Sequence, residues 1–421
     1  MRAIILLLTV ICVCGAVRAG SFDAYDVLHY DLRLRLDPAG KTAAGSVAIE
    51  AVWREDASSM PLHASLVTLS IDSIVDAHGP LAFRSHGDTT EIALRAASHA
   101  GDTSRITVHY HATSRFQGAY DDGGMFFSSD NEGHPHIGTI SQPFFSRRWW
   151  PCKDLPNDKS TASVSITLPR PLTGVSNGLL LAVRDEGADR TFQWATRYPI
   201  ASYLVSVAAA EYVEFDTTYV ALDGTTTMPV QYYVYPEDLA KARIDFQHTT
   251  ALLGYLAREF GEYPFLREKF GYAEVDGELT MENQTIVSVE RELITGDLQH
   301  ESTLLHEMAH HWWGDLITPA SWHHTWISEG FATFVEGLFL EKQRGPAAYQ
   351  EYIDGLMAQP PGTYRGSVSG RSDTVFWDSF GPQVYYKGAI VLHMLRRMLG
   401  DSVFFSAVRS YLSDQIGRAH V

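Results

Sequence analysis

The chain has 421 residues, of which 45% are hydrophobic and 20% charged, a composition that suits a globular protein of two or three domains. Its formal net charge of −17 argues against nucleic acid and anionic membranes as partners, because like charges repel. An acidic surface suits a ligand that carries a free amine.

The first predicted element is a signal peptide. Arg2 precedes a short apolar run that ends at Val13, and Val17 and Ala19 occupy the −3 and −1 positions of a possible cleavage site. We therefore expect residues 1–19 to be removed and the mature protein to be secreted or periplasmic. A lipid anchor on a cysteine of this segment is the alternative. No later stretch is apolar for long enough to span a bilayer, so the mature chain is predicted to have no membrane span.

The next segment alternates as a half-buried β-sheet does. The clearest runs are Tyr30, Leu32, Leu34 and Leu36, residues 45–53 and residues 163–168. A period of two puts one face in the core and the other in water. Frequent turn residues between such runs predict an antiparallel β-domain over residues 20–214. Cys152, the one cysteine of the predicted mature chain, stands among aromatic residues, so we expect a buried free thiol.

After residue 214 the apolar period becomes helical. The pattern predicts helices over 239–260, 302–313, 384–399 and 401–412, and strands over 270–275 and 285–289. A further helix is expected to have Ser328 as its N-cap, a stripe of apolar residues on one face, and its end at Gly345. We assign residues 215–415 to this second domain.

The last six residues are treated separately. Residues 416–421 read IGRAHV and resemble the translation of a sequencing-library adapter. We interpret them as an artefact and leave them out of the fold prediction. The natural protein is then expected to continue past Gln415.

The clearest chemical motif is HExxH at residues 306–310. Residues i and i+4 of a helix share a face, so His306 and His310 can reach one metal ion with Glu307 beside them. Glu329 follows 19 residues later, at the start of the next predicted helix, and can supply a third ligand. Two imidazoles, one carboxylate and an open position suit Zn²⁺. We predict one zinc ion held by these three ligands, with Glu307 as general base towards a zinc-activated water.

Further segments resemble a known family. HEMAHHWWGD and WISEGFATFVE closely resemble the gluzincin zinc aminopeptidases of the aminopeptidase N and leukotriene A4 hydrolase group. HYDLRLRLDP, RRWWPCKDLP, EFGEYPF and YYKG are similar to other segments of that family and occur in its order, so the resemblance covers most of residues 28–400. It implies a multidomain fold with an N-terminal antiparallel β saddle domain, then a thermolysin-like α+β catalytic domain. Further helical parts would follow the end of this chain.

The resemblance also implies roles outside the zinc motif. Tyr385 matches the tyrosine that stabilises the tetrahedral intermediate. Met281, Glu282 and Asn283 match the end of a Gly-x-Met-Glu-Asn motif, which implies that all three contact substrate and that Glu282 binds its α-amine. Gln142 matches a residue that assists at the first subsite.

One departure bears on specificity. Leu279 replaces the glycine of that motif, and a side chain there would reshape the amine site, because glycine lets backbone approach a ligand closely. The predicted function is a zinc aminopeptidase that hydrolyses the N-terminal peptide bond of peptides with a free N-terminus. The alternatives are a zinc endopeptidase, a leukotriene-type epoxide hydrolase and, with less weight, a non-catalytic scaffold.

Several of these residues also have a purely structural interpretation. Glu282 could be a solvated strand carboxylate, and Gln142 a plain loop amide. Tyr385 could be a core aromatic residue, with Tyr386 in its place at the site. Glu336 lies two turns after the third predicted ligand and could orient a zinc-bound histidine, but a surface carboxylate explains it equally well.

Overall fold

A computed structural model describes residues 20–114, 123–277, 280–360, 362–370 and 380–414. The predicted signal peptide, Leu279 and the adapter-like tail lie outside these ranges, so what was expected of them stays a prediction. Among the described helices, none is both long enough and apolar enough to cross a membrane.

The first part of the chain forms β-sheets, as its alternating pattern predicts. The apolar residues of the first strand, from Tyr30 to Leu36, are each at most 3% exposed. The strands of this part are β1 (Tyr25–Asp37), β2 (Thr42–Trp53), β3 (Ala57–His63), β4 (Leu69–Asp76), β5 (Gly79–Pro80), β6 (Phe83–His86), β7 (Thr89–Ser98), β8 (Thr103–Thr113), β9 (Gly124–Ser129), β10 (Pro135–Ile140), β11 (Lys159–Pro169), β12 (Thr173–Ser176), β13 (Leu179–Glu186), β14 (Asp189–Ala201) and β15 (Val207–Ala210). Cys152 is buried among them as a free thiol, as expected.

These strands make three sheets. An eight-stranded sheet has the order β13-β14-β11-β1-β2-β8-β4-β5, a four-stranded sheet the order β12-β15-β10-β9, and a three-stranded sheet the order β3-β7-β6. The prediction of antiparallel pairing needs one correction, because β1 and β11 run parallel. A long connection separates these two strands, and only such a connection can return the chain in the same direction.

A mixed sheet begins the second part of the chain. It contains β16 (Val213–Val220), β17 (Thr227–Val234), β18 (Phe270–Val275) and β19 (Val287–Glu290) in that order. β17, β18 and β19 are mutually parallel, whereas β16 is antiparallel to β17. The boundary placed after residue 214 therefore falls inside β16. The predicted strand over 285–289 begins later, because Ile286 donates to the Asn283 carbonyl in a turn.

Helices cover this sheet. They are α1 (Leu239–Asp245), α2 (Thr249–Phe260), α3 (Glu301–Ala309), α4 (Trp326–Arg344), α5 (Pro346–Met357), α6 (Pro382–Leu399) and α7 (Asp401–Asp414). The sequence did not predict α5. The single helix predicted over 239–260 is wrong, because the chain breaks after Asp245. Its carboxylate accepts hydrogen bonds from the backbone of Gly296 and Leu298, and Phe246 turns to stack on Tyr232.

Helices α4 and α6 cross at a pair of glycines. A Cβ atom added to Gly388 of α6 would lie 2.9 Å from the Cα atom of Gly330 in α4, and the reverse distance is also 2.9 Å. Only glycine allows backbones to come this close. The crossing holds Glu329, the neighbour of Gly330, near Tyr385 in the first turn of α6.

Replacing Gly388 with alanine should therefore destabilise the protein. The atoms that the new methyl group would meet are backbone and cannot move aside, and such overpacking typically costs about 1–3 kcal/mol. We expect a lower midpoint of urea unfolding. The control is Gly355→Ala in α5, where an added Cβ meets no atom within 4 Å and should stabilise by roughly 0.5–1 kcal/mol. An unchanged midpoint for Gly388→Ala would contradict the tight crossing.

Candidate active site

Helix α3 carries the two histidines of the HExxH motif. It ends at Ala309, so the helix predicted to residue 313 is too long. Beyond Ala309 the chain leaves the helical path, and the Trp313 carbonyl oxygen lies 2.9 Å from His310 Nδ1. In a continuing helix that carbonyl would point away from His310. His310 keeps helical backbone angles, and its N–H still reaches the His306 carbonyl at 3.3 Å. The two imidazoles therefore remain on one face, with ring centroids 4.8 Å apart.

Glu329 of α4 faces both imidazoles. Its Oε2 atom lies 3.3 Å from His306 Nε2 and 3.3 Å from His310 Nε2. One ligand atom from each of the three residues lies within 4.8 Å of the other two, in a setting where Glu329 is buried. The structure thus brings the three predicted metal ligands together.

The other nitrogen of each imidazole is already engaged. His306 Nδ1 lies 2.8 Å from Glu336 Oε1, and His310 Nδ1 lies 2.9 Å from both the Trp313 carbonyl and Ser328 Oγ. A proton on Nδ1 leaves the Nε2 lone pair free and aimed at Glu329. A His–His–Glu set with its tautomers held in this way fits Zn²⁺. Of the two interpretations of Glu336, these contacts support the orienting one.

Ser328 is not the N-cap that the sequence predicts. Helix α4 begins at Trp326, so Ser328 lies in its first turn. Its buried hydroxyl donates to the Trp313 carbonyl at 2.9 Å and meets His310 there. No pattern in the sequence separates this role from capping, because either places a serine at the start of a helix.

A second group of possible ligand atoms shares one histidine with the first. Glu282, Glu307 and His310 each offer an atom within 4.8 Å of the other two. Burial raises the pKa of the Glu307 carboxyl, and nearby Glu329 raises it further against the opposing effect of the histidines. Burial likewise raises the pKa of Glu282 to about 7, with Glu329 and Glu307 adding to the rise. So many buried carboxylates favour a bound cation.

A cavity of about 480 Å³ opens over these groups. Gln142 from the β-domain enters it, and its Nε2 donates to Glu282 Oε1 at 2.9 Å although the two residues are 140 positions apart. Glu307 and Tyr385 line the same cavity. The two parts of the chain therefore build one site between them.

The loop that carries Glu282 is held from both sides. Met281 exchanges two backbone hydrogen bonds with Ser288, each 2.9 Å long, and lines the cavity. Asn283 does not line it; its side-chain amide donates to Ser288 Oγ at 2.9 Å. Asn177 of the β-domain donates to the Gln284 carbonyl at 2.7 Å. Asn283 is therefore placed to support the loop, and its contact with substrate stays a prediction.

Tyr385 stands in the first turn of α6. Its ring lies 6.3 Å from that of His306 at an angle of 18°. Burial, together with the nearby carboxylates of Glu329, Glu282 and Glu307, raises its pKa, so the hydroxyl stays protonated and can donate a hydrogen bond.

Two family models match most of the chain. Residues 27–204 match the peptidase M1 N-terminal domain, and residues 246–419 match the peptidase family M1 domain. Strands β15, β16 and β17 lie between the two matched ranges.

Two curated relatives of similar sequence carry the name aminopeptidase. The chain is 26% identical over 349 residues to leucine aminopeptidase 2 of Pyricularia oryzae. This match covers 79% of this chain and 54% of that protein. It is 24% identical over 419 residues to the probable M1 family aminopeptidase 1 of Encephalitozoon cuniculi. This match covers 92% of this chain and 47% of that protein. The chain thus spans about half the length of these relatives.

Solved structures show the same architecture. The M1 zinc metallopeptidase from Deinococcus radiodurans matches with a TM-score of 0.80 at 25% identity, covering 94% of this chain and 87% of that one. A mutant of it bound to a Tyr-Ser-Ala substrate matches with a TM-score of 0.78 at 25% identity, and the match covers 94% of this chain and 88% of that one. Native yeast LTA4 hydrolase shares the fold, with a TM-score of 0.80 at 20% identity and coverage of 94% and 63%. The predicted β-rich domain followed by a mixed domain is confirmed.

Proposed function

This chain belongs to peptidase family M1, and on that premise we propose that it is a zinc-dependent aminopeptidase that removes residues from the N-terminus of peptides. The observation that carries the proposal is the position of Glu282. Its carboxylate lies within 4.8 Å of the ligand atoms of Glu307 and His310, and it is 3% exposed. A buried carboxylate at this point is suited to bind an ammonium group.

The geometry leaves room for one residue before the cut bond. The α-nitrogen and the carbonyl carbon of an amino acid are about 2.5 Å apart, since two bonds separate them. An ammonium paired with Glu282 therefore places the first carbonyl beside Glu307 and the metal ligands. The next peptide bond lies about 3.8 Å further along the chain and outside this position.

Each residue of the site has a task in this proposal. When bound by His306, His310 and Glu329, zinc supplies a Lewis acid that polarises the scissile carbonyl. Glu307 accepts a proton from the attacking water and returns it to the leaving amine. The Tyr385 hydroxyl donates a hydrogen bond to the oxygen that becomes negative as the carbonyl is attacked.

The amine contact gives a test of exopeptidase activity. Chromogenic aminoacyl amides should be cleaved when their amine is free and left intact when it is acetylated, because only the ammonium pairs with Glu282. Glu282→Gln should lower kcat/KM for the free-amine substrates by roughly 10²- to 10³-fold, as loss of one partner of a buried charge pair does. Initial rates measure both effects.

Glu292→Gln serves as the control, since Glu292 is exposed and does not line the cavity. We expect this variant to match the unmodified protein on both kinds of substrate. Equal cleavage of acetylated and free substrates would remove the exopeptidase proposal and favour an endopeptidase.

A further inference from the structure

The chain that follows helix α3 makes a tight turn beside the metal ligands. Residues 313–316 form this turn, and the backbone N–H of Asp315 donates to the His310 carbonyl at 2.9 Å. Gly314 permits the close approach, because it has a φ of +138° and an added Cβ atom would lie only 2.7 Å from Ser328 Oγ. The turn therefore packs directly against His310.

Two side chains of the β-domain hold this turn from the other side. Lys159, the first residue of β11, donates from Nζ to the Asp315 carbonyl at 2.6 Å and to the Leu316 carbonyl at 2.9 Å. The Tyr203 hydroxyl donates to the Gly314 carbonyl at 3.3 Å. Three successive carbonyl groups of the turn are thus bound by residues from a distant part of the chain.

The side chain of Asp315 gives a further reason for a cation at this position. It is 0% exposed, and neither of its carboxylate oxygens has a hydrogen-bond partner within the described residues. A buried carboxylate without donors is costly unless an opposite charge lies nearby. The Lys159 ammonium supplies that charge while it bonds to the carbonyl of the same residue.

The next carbonyl of the turn is the one that orients a metal ligand. The Trp313 carbonyl lies 2.9 Å from His310 Nδ1 and directly precedes Gly314 in the chain. Because each peptide group is rigid and planar, a displacement of the Gly314 and Asp315 carbonyls also moves the Trp313 carbonyl. His310 Nδ1 would then lose one of the two partners that leave its Nε2 atom free for zinc.

We propose that Lys159 and Tyr203 are positioning residues for the zinc ligand His310, through which the β-domain maintains the geometry of the metal site. Neither residue touches the metal position, since both act through the backbone of residues 313–316. The inference depends on the zinc site and is independent of the exopeptidase proposal, so that either can fail without the other.

A second lysine at the boundary between the domains provides a matched control. Lys269 belongs to the second domain and is 0% exposed, and its Nζ donates to the carbonyls of Ser176 and Gly178 in the β-domain. Like Lys159, it therefore bonds two backbone carbonyls of the opposite domain. Among the described residues, its hydrogen-bond partners do not include the turn beside His310.

The experiment replaces each lysine with methionine, which keeps an unbranched side chain but removes the charge and the donors. Both variants should have a lower midpoint of urea unfolding, because each leaves two carbonyls without a donor. Lys159→Met alone should weaken zinc binding, by about tenfold, as the loss of an outer partner of a metal ligand does. It should also change the visible absorption spectrum of the Co²⁺-substituted protein, which reports ligand geometry.

Tyr203→Phe keeps the aromatic ring and removes only the hydroxyl group, so it tests the same turn with little risk to folding. We expect it to weaken zinc binding by roughly threefold, as the loss of one hydrogen bond would. Competition with a chelator measures the zinc dissociation constant of each folded variant.

Unchanged zinc affinity and an unchanged Co²⁺ spectrum in Lys159→Met would overturn the inference. If that variant does not fold, an unchanged zinc affinity in Tyr203→Phe would do so. Equal weakening of zinc binding by Lys159→Met and Lys269→Met would also overturn it, since that result indicates a general loosening of the boundary between the domains.

Discussion

Replacing Glu307 with glutamine should lower kcat by roughly 10²- to 10⁴-fold while the protein keeps its metal. The amide has nearly the same shape as the carboxylate but cannot accept a proton from water. Glu307 is not one of the predicted zinc ligands His306, His310 and Glu329, so the variant keeps all three of them. The change therefore separates proton transfer from metal binding.

The measurement pairs turnover of a free-amine substrate with the zinc content of the same preparation. Glu301→Gln is a suitable control, because Glu301 lies on the same helix α3 and its carboxylate contacts His248 outside the cavity. We expect this variant to hold zinc and to turn over normally. Turnover of Glu307→Gln close to that of the unmodified protein would refute its role as the general base.

The second large effect is expected at Glu329. Its carboxylate faces both imidazole Nε2 atoms at 3.3 Å, and a neutral amide is a much weaker ligand for a divalent cation. Glu329→Gln should weaken zinc binding by more than about 100-fold and abolish activity at limiting zinc, since the loss of even an outer-shell partner costs 10- to 100-fold. Competition with a chelator gives the dissociation constant directly.

Glu336→Gln provides the graded comparison. Glu336 contacts His306 through Nδ1 and not the metal position, so its loss should weaken zinc binding by only about 10- to 100-fold. Circular dichroism verifies that both variants are folded. If Glu329→Gln kept one zinc ion per chain after dialysis, the ion would have to lie elsewhere, and the neighbouring group of Glu282, Glu307 and His310 would be the candidate.

Local patterns in the sequence were sufficient to predict those features whose geometry depends only on neighbouring residues. The spacing of His306 and His310 implies a shared helical face, and the structure keeps that face although α3 ends early. The alternation in β1 predicted its buried residues for the same reason, because side chains of a strand alternate whatever the strand pairs with.

Only the tertiary structure could decide which distant segments meet. The contact between Gln142 and Glu282 joins the two domains. No local sequence pattern around either residue predicts this contact. Only the family resemblance indicated that both residues belong to the site. The break after Asp245 is similar, because the hydrogen bonds that stabilise it come from a loop about fifty residues later.

Local patterns thus specify the chemistry that the chain can hold: two imidazoles one helical turn apart, a carboxylate on the next helix, and alternating strands before them. The tertiary structure decided how that chemistry is oriented and what it can reach. It turned Ser328 towards His310 and placed Glu336 behind His306. The reason is physical, since periodicity is a property of neighbouring residues, whereas packing brings together segments whose separation along the chain carries no information about their contact.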